Sequence, residues 1–326
     1  MRFLSGLACF AALAGGALFA QNQGKSGDKK DDPAQIGSRD VGKGVNMYSI
    51  EREIALGKQL AQEVQRQAKV VEDPLISEYI NRLGQNLVRN SDAKVPFTFQ
   101  IIEGEAPNAF ALPGGYVFVY TGLVKLADEE DEFAAALAHE IAHVAARHMT
   151  KQATKSEIIN LAGIPVGVIL GGGIGGIAVR QGANLGIPAV FLHFTRKDES
   201  EADYLGLQYM YAAGYDPNGA VSIFEKMESL QKTKPGTVAR IFSTHPMDAD
   251  RIQRAEKEIA RILPARDEYV VNTSEYSGMR ERLIALDARK KTTDDGRPQL
   301  VRPASKSGDE DRPTDRPTIK RRDLVE

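Results

Sequence analysis

Cysteine is almost missing from this chain of 326 residues: Cys9 is the only one, and it sits in the apolar start of the sequence. No internal disulfide can form, so the fold must hold without one. Net charge is nearly absent as well, −2 from 42 basic and 44 acidic residues, and no basic patch stands out. That balance offers no electrostatic reason to expect a nucleic acid partner. Histidine is scarce: there are five, all between positions 139 and 245. No internal repeat is visible, so no helical-repeat module is expected. Long apolar runs are limited to the first twenty residues and to Ile158–Val179.

What is present is concentrated between Asp131 and Thr150, where the chain reads DEFAAALAHEIAHVAARHMT. Acids at 128–132, then alanine and aliphatic residues, then Arg147 and His148 predict one long helix with its dipole matched at both ends. Within it His139-Glu140-Ile141-Ala142-His143 is an H-E-x-x-H element. Histidines four apart lie about 40° from each other around a helix, so both rings can reach one ion at about 2.0–2.1 Å. Glu140 lies between them, better placed to hold a water on that ion than to bind the ion itself. The surrounding small and apolar residues would bury these three polar groups, which then need partners. The chemistry this predicts is a zinc site, with one zinc per chain.

A third ligand must come from elsewhere. A metzincin would continue with glycine at 146 and histidine at 149, and this chain has Ala146 and Met149. His148, about 140° around the helix from His143, cannot share the ion and reads as a cation at the helix C-terminus. A glutamate from a later helix is the remaining arrangement. TRKDESEADYLGLQYMYAAG, Thr195 to Gly214, predicts such a helix stopped by Gly214, with Glu199 and Asp203 on one face and Glu201 pointing elsewhere.

HEIAHVAARH followed by RKDESEAD resembles the CAAX prenyl protease and HtpX-type zinc metallopeptidases, metallopeptidase family 48, whose second motif is E-x-x-x-D. The resemblance implies His139, His143 and Glu199 as zinc ligands, Glu140 as general base and Asp203 as an acid orienting a ligand histidine. NAFALPGGYVFVYTGLV (Asn108 to Val124) resembles the family's edge strand and following turn, and STHPMDADRI resembles its H-P-x-x-x-x-R segment, with His245 and Arg251. His245 would steady the oxyanion or cap the zinc at rest; Arg251 joins the catalytic group. The implied fold class is α+β: a mainly helical gluzincin-type domain with a small antiparallel sheet whose edge strand borders the cleft. On that reading substrate lies as an added strand on Tyr116–Tyr120, and Asn108, Gly114, Gly115, Tyr116, Val117 and Phe118 are the substrate-binding residues.

The rest of the chain is expected to organise around this unit. Residues 1–20 read as a secretory signal cut after Ala20, with Gly6 where a lipobox wants leucine. Residues 21–45 and 290–326 are polar and read as a disordered linker and tail around a domain at 46–289. Helical periodicity marks Ile50–Gln67 and Pro74–Arg89, and strands are expected at Phe97–Glu103 and Tyr116–Tyr120 with a Pro113-Gly114-Gly115 turn before the second. Ile158–Val179 is about long enough to cross a bilayer, but Pro165 and its many glycines weaken a single helix, and a lone span would separate Glu199 from His139. A Gly-rich hydrophobic flap over 158–190 is the favoured reading, with peripheral membrane contact as the alternative. His193, among Phe191, Leu192 and Phe194, reads as packed core. The expected function is a zinc-dependent endopeptidase of the periplasm or cell envelope that hydrolyses peptide bonds in unfolded or misassembled proteins. The alternative is a periplasmic chaperone or outer-membrane assembly factor with secondary proteolysis. Intramembrane CAAX processing needs more spans than this sequence offers, and oligomeric state is not legible.

Overall fold

The computed structural model describes residues 29–161, 194–233, 245 and 250–295. Two amphipathic helices open the domain at the expected positions. Helix α1 (Ile50–Gln67) starts where the Ser49 side chain accepts the Arg52 N–H, and it buries Gly57, Leu60, Ala61 and Val64. Helix α2 (Pro74–Arg89) has proline in its first turn and Asp73 accepting from the Leu75 and Ile76 N–H groups. Its buried Ile76, Tyr79, Ile80, Leu83 and Leu87 repeat at helical spacing, each worth about 1.5–3 kcal/mol of apolar burial.

Three strands follow: β1 (Thr98–Ile102), β2 (Ala109–Leu112) and β3 (Tyr116–Tyr120). Their order is β1-β3-β2, with β1 parallel and β2 antiparallel to β3. The sheet is therefore mixed rather than antiparallel, and β3 is its central strand. Periodicity missed β2, since all four of its residues are buried and no alternation marks them. The β2–β3 turn uses positive φ at Gly114 and Gly115. A Cβ there would stand 2.7 Å from the Ile54 Cα and 2.1 Å from the Pro96 carbonyl oxygen respectively, so what these glycines admit is α1 and the approach to β1.

After the short α3 (Thr121–Leu126), helix α4 (Glu130–Ala145) is buried along nearly its whole length. It packs against α6 (Arg196–Ala213) and α7 (Asn218–Thr233), and over α2 and β2. Between α4 and α6, helix α5 (His148–Leu161) begins after a break, because Arg147 takes φ 59° and stops α4. Helix α6 starts at a Thr195/Asp198 capping box and ends at left-handed Gly214, as its sequence predicts. Helix α8 (Arg251–Ile262) packs on α6 and α7, and α9 (Ser274–Asp295) closes the described chain. Mainly helical with a three-stranded sheet, this is an α+β fold.

The chain divides into a main unit, Met1–Ala285, and a second, Leu286–Glu326, whose described part is the last turns of α9. The helix runs to Asp295, past the expected domain end at 289. The expected linker 21–45 differs more, since from Lys29 onward it is held down. Lys29–Asp31 and Pro33–Gln35 form 3-10 turns, Val41 is buried, and buried Arg39 pairs with buried Asp92 at 2.6 Å while donating to Gln208 on α6. Composition misleads here because the segment is anchored mainly by polar groups with buried partners, with Val41 its one buried apolar side chain among residues 30–45. The signal, residues 296–326 of the tail and most of the Gly-rich 158–190 stretch, with His193, lie outside the described residues. Among the described residues no helix is long and apolar enough to cross a membrane.

Candidate metal centre

Helix α4 carries His139, Glu140 and His143, all buried, as the H-E-x-x-H spacing requires. The two imidazoles have their Nε2 atoms 3.0 Å apart. Gly206 on α6 lets the second helix pass close, with its Cβ position 3.3 Å from the His139 backbone nitrogen. Glu199 on α6 thereby puts Oε2 at 3.4 Å from His139 Nε2 and Oε1 at 3.4 Å from His143 Nε2. His245 completes the group, with Nδ1 at 3.0 Å from Glu199 Oε1 and 3.2 Å from His139 Nε2. Its Nε2 lies 3.2 Å from Glu140 Oε1 without the alignment of a hydrogen bond.

One turn beyond Glu199, Asp203 brings Oδ1 to 2.9 Å from His139 Nδ1. Arg251 grips the same carboxylate twice, Nη2 to Oδ1 at 2.6 Å and Nε to Oδ2 at 2.7 Å, with its guanidinium 4.2 Å above the Phe224 ring. Arg251 Nη2 also lies 3.2 Å from His139 Nδ1. An ionised carboxylate only accepts, so the shorter contact has His139 Nδ1–H donating to Asp203, with the Arg251 protons going to Asp203 rather than to that nitrogen, and His139 Nε2 is the atom left to face the cluster. Arg251 acts through Asp203 rather than at the reacting atoms.

A metal ion fits this donor set. Among the described residues, His139, His143, Glu199 and His245 each place a ligand atom within 4.8 Å of the others. The separations of 3.0 to 3.4 Å, with Glu199 facing His139 through Oε2 and His143 and His245 through Oε1, are close to the spacing of about 3.3 Å between ligands that share one metal at about 2.0–2.1 Å. Glu140 Oε2, Glu199 Oε2 and His245 Nε2 are buried here without hydrogen-bond partners in the protein. Orphaned polar atoms of this kind are costly unless a cation or its ligands satisfy them.

The electrostatics agree. Burial opposes the charge on Asp203, but Arg251 and His139 outweigh it and hold the carboxyl below its usual range. Burial opposes charge on Glu199 too, and His245 with the two α4 histidines holds it well below the usual range. For His139 burial pulls downward, yet Asp203 and Glu199 together push its pKa up to about 9. Burial holds His143 well below its ordinary value, helped by the neighbouring His139 and His148 rings. The carboxylates thus keep their charge and draw a proton onto His139, which a bound cation would displace.

The cluster opens into a cleft lined by Asn108, Ala109, Leu123, Ala135, Ala136, Ile223, Phe224 and Met227. Of the expected substrate-binding residues, Asn108 lies here beside His139 and Glu140. The other five do not. Gly114 and Gly115 turn against α1 and the approach to β1, and Tyr116, Val117 and Phe118 belong to β3, whose two edges are already paired by β1 and β2. Among the described residues no strand pairs with the other edge of β2. Tyr120 donates its N–H to the Asn108 carbonyl at 2.9 Å, so the alternation of the ladder turns the backbone groups of Ala109 and Ala111 away from β3. His148, read as a helix-terminal cation, instead begins α5, because the break at Arg147 swings it back beside His143. No glycine marks that break in the sequence.

Comparison with known sequences agrees with this geometry. The family model described as "Peptidase family M48" matches residues 74–259. The chain is 31% identical over 243 residues to "Beta-barrel assembly-enhancing protease" of Yersinia pestis, covering 71% of this chain and 49% of that protein. It is 33% identical over 180 residues to "Mitochondrial metalloendopeptidase OMA1" of Schizosaccharomyces pombe, 55% of this chain and 52% of the relative. It is 30% identical over 203 residues to "Metalloprotease LoiP" of Escherichia coli strain K12, 61% of this chain and 77% of that protein. The chain spans about half the length of the assembly-enhancing proteases that it matches. The matched span contains all four members of the cluster and both residues that orient His139, and on it the chain belongs to peptidase family M48.

Proposed function

We propose that this protein is a zinc metalloendopeptidase that hydrolyses internal peptide bonds of unfolded or misassembled proteins in the cell envelope, with one zinc per chain. The observation that carries this reading is the convergence of His139, His143, Glu199 and His245 on one point, with the Glu140 carboxylate at its edge. Zinc held there supplies the Lewis acidity that activates a water and polarises the scissile carbonyl. Glu140 then takes the water's proton and returns it to the leaving amine. Asp203, held by Arg251, keeps His139 in the required tautomer. Substrate backbone adds as a strand to β2 through Ala109 and Ala111, which suits extended chains better than folded ones. His245 in its present place would help hold the metal at rest, and the same ring would stand beside an oxyanion that develops on a bound substrate carbonyl.

The envelope assignment rests on the leader-like residues 1–20 and is supported by the relatives' printed name, which joins assembly of β-barrels to proteolysis. The same name favours a second reading, a periplasmic assembly factor or chaperone for which cleavage is secondary. Metal analysis of the purified chain, with cleavage of a casein-like unfolded substrate by wild type and Glu140→Gln, separates the two. On the peptidase reading zinc is near one per chain and the Glu140→Gln variant keeps the metal while losing both cleavage and biological function. Function retained by that variant would favour the assembly factor. A chain without zinc and without cleavage would overturn the peptidase.

A further inference from the structure

The two histidines of α4 are held in different ways. His139 gives its Nδ1–H to a carboxylate, whereas the group facing His143 Nδ1 is another imidazole: His148 Nδ1, 3.0 Å away. Continuing outward, His148 Nε2 lies 3.4 Å from Glu201 Oε2, and the other oxygen of Glu201 takes Lys30 Nζ at 3.2 Å. His148 is buried, 1% exposed, so its ring has no access to bulk water.

The proton count permits one arrangement when a metal sits on His143 Nε2. A neutral His143 then carries its proton on Nδ1 and needs an acceptor there. His148 Nδ1 must be that acceptor, so the His148 proton lies on Nε2, where Glu201 receives it. With His143 neutral, a proton on His148 Nδ1 would instead set two protons against each other across 3.0 Å. The chain break is what makes the contact: on a continuous helix His148 would lie about 140° from His143. Arg147, left-handed at φ 59° and held by Glu53 Oε2 at 3.0 Å and the Tyr48 carbonyl at 2.5 Å, brings it alongside instead. A non-glycine residue is strained in that region, so surrounding contacts must hold it there.

We propose that His148 is a positioning residue for the metal ligand His143, accepting its Nδ1 proton, and that Glu201 fixes the tautomer in which His148 can do so. This rests on the metal reading above. It extends the site by two residues that the H-E-x-x-H and E-x-x-x-D motifs do not contain. It also makes the two ligands unequal: His139 is backed by a charge, His143 by a neutral ring with a charge behind it.

The test is zinc affinity of the full chain, measured by competition with a chromophoric chelator, together with the visible spectrum of the cobalt-substituted protein. His148→Leu removes the acceptor and should weaken zinc about ten- to a hundredfold and shift the cobalt bands. His148→Gln offers a side-chain carbonyl and should restore most of the affinity and the wild-type spectrum, which a loss of packing alone would not do. Glu201→Leu, at a partly exposed position, should weaken zinc at least threefold in the His148 background and change nothing in the His148→Leu background, because it acts only through that ring. Equal zinc affinity in wild type, His148→Leu and Glu201→Leu would overturn the proposal, as would additive losses in the double variant. If His148→Leu does not fold, an unchanged affinity in Glu201→Leu alone overturns it. A wild-type chain that binds no zinc would fail differently, removing the metal reading itself.

Discussion

The two ends of α4 bury comparable numbers of polar side chains and do opposite things with them. At the N-terminal end Glu130 Oε1 accepts from the Tyr215 hydroxyl at 3.0 Å and its other oxygen from Thr273. Glu132 Oε2 accepts from Lys226 at 2.7 Å and from the backbone N–H groups of Asp128 and Glu129. At the C-terminal end, the ligand atoms of His139, His143, Glu199 and His245 face each other, and three buried polar atoms lack a protein partner. Burial of charge is common to both ends. What separates a structural cluster from a reactive one is whether the protein itself satisfies the groups it buries.

Substitution at the reactive end should break this contrast most strongly. Glu140→Gln should lower cleavage of an unfolded substrate at least about a hundredfold with zinc retained, since the amide cannot take the water's proton; turnover near wild type would sink the role of this residue. His139→Ala, His143→Ala and Glu199→Ala should each lose most of the zinc, read by metal analysis after dialysis. Asp203→Asn comes next, with zinc held about ten- to a hundredfold more weakly because His139 loses its charged orienting partner; unchanged chelator competition would count against that role.

At the other end the expected effects are on stability alone. Glu130→Ala leaves the buried Tyr215 hydroxyl without its acceptor and should cost about 1–3 kcal/mol in urea unfolding, with zinc content unaltered. Asp131→Asn should have its smallest effect at low pH, one that grows as pH rises. Burial, with Glu132, Asp216 and Glu129 nearby, pushes the Asp131 carboxyl up to about 7. A folded pKa above the unfolded value favours the protonated form, so this group's contribution is greatest below about 4 and declines as pH rises through about 7. The asparagine variant should therefore gain about 3 kcal/mol on wild type at pH 8 relative to pH 4.5, and a difference of the opposite sign would show that Asp131 is charged in the fold.

Local pattern determined much of this protein. The bounds of α1 and α2 follow from caps and a 3.6-residue repeat, and the pairing of His139 with His143 and of Glu199 with Asp203 follows from four-residue spacing on a helix. These are properties of neighbouring residues, so a linear reading reaches them. Tertiary structure decided the rest. Among the described residues the strand with an unpaired edge is β2 and not β3, because β1 crosses over to pair with β3 in parallel, a long-range choice that no alternation encodes. The ordered segment after Lys29 is held by Arg39 against Asp92 and Gln208, partners far away in the chain. His148 faces His143 because one arginine leaves the helical region, and that conformation is imposed by Glu53 and Tyr48 rather than by arginine's own preference. Spacing along a helix says which side chains can share an ion; which other groups then orient them depends on where the chain breaks and what holds the break.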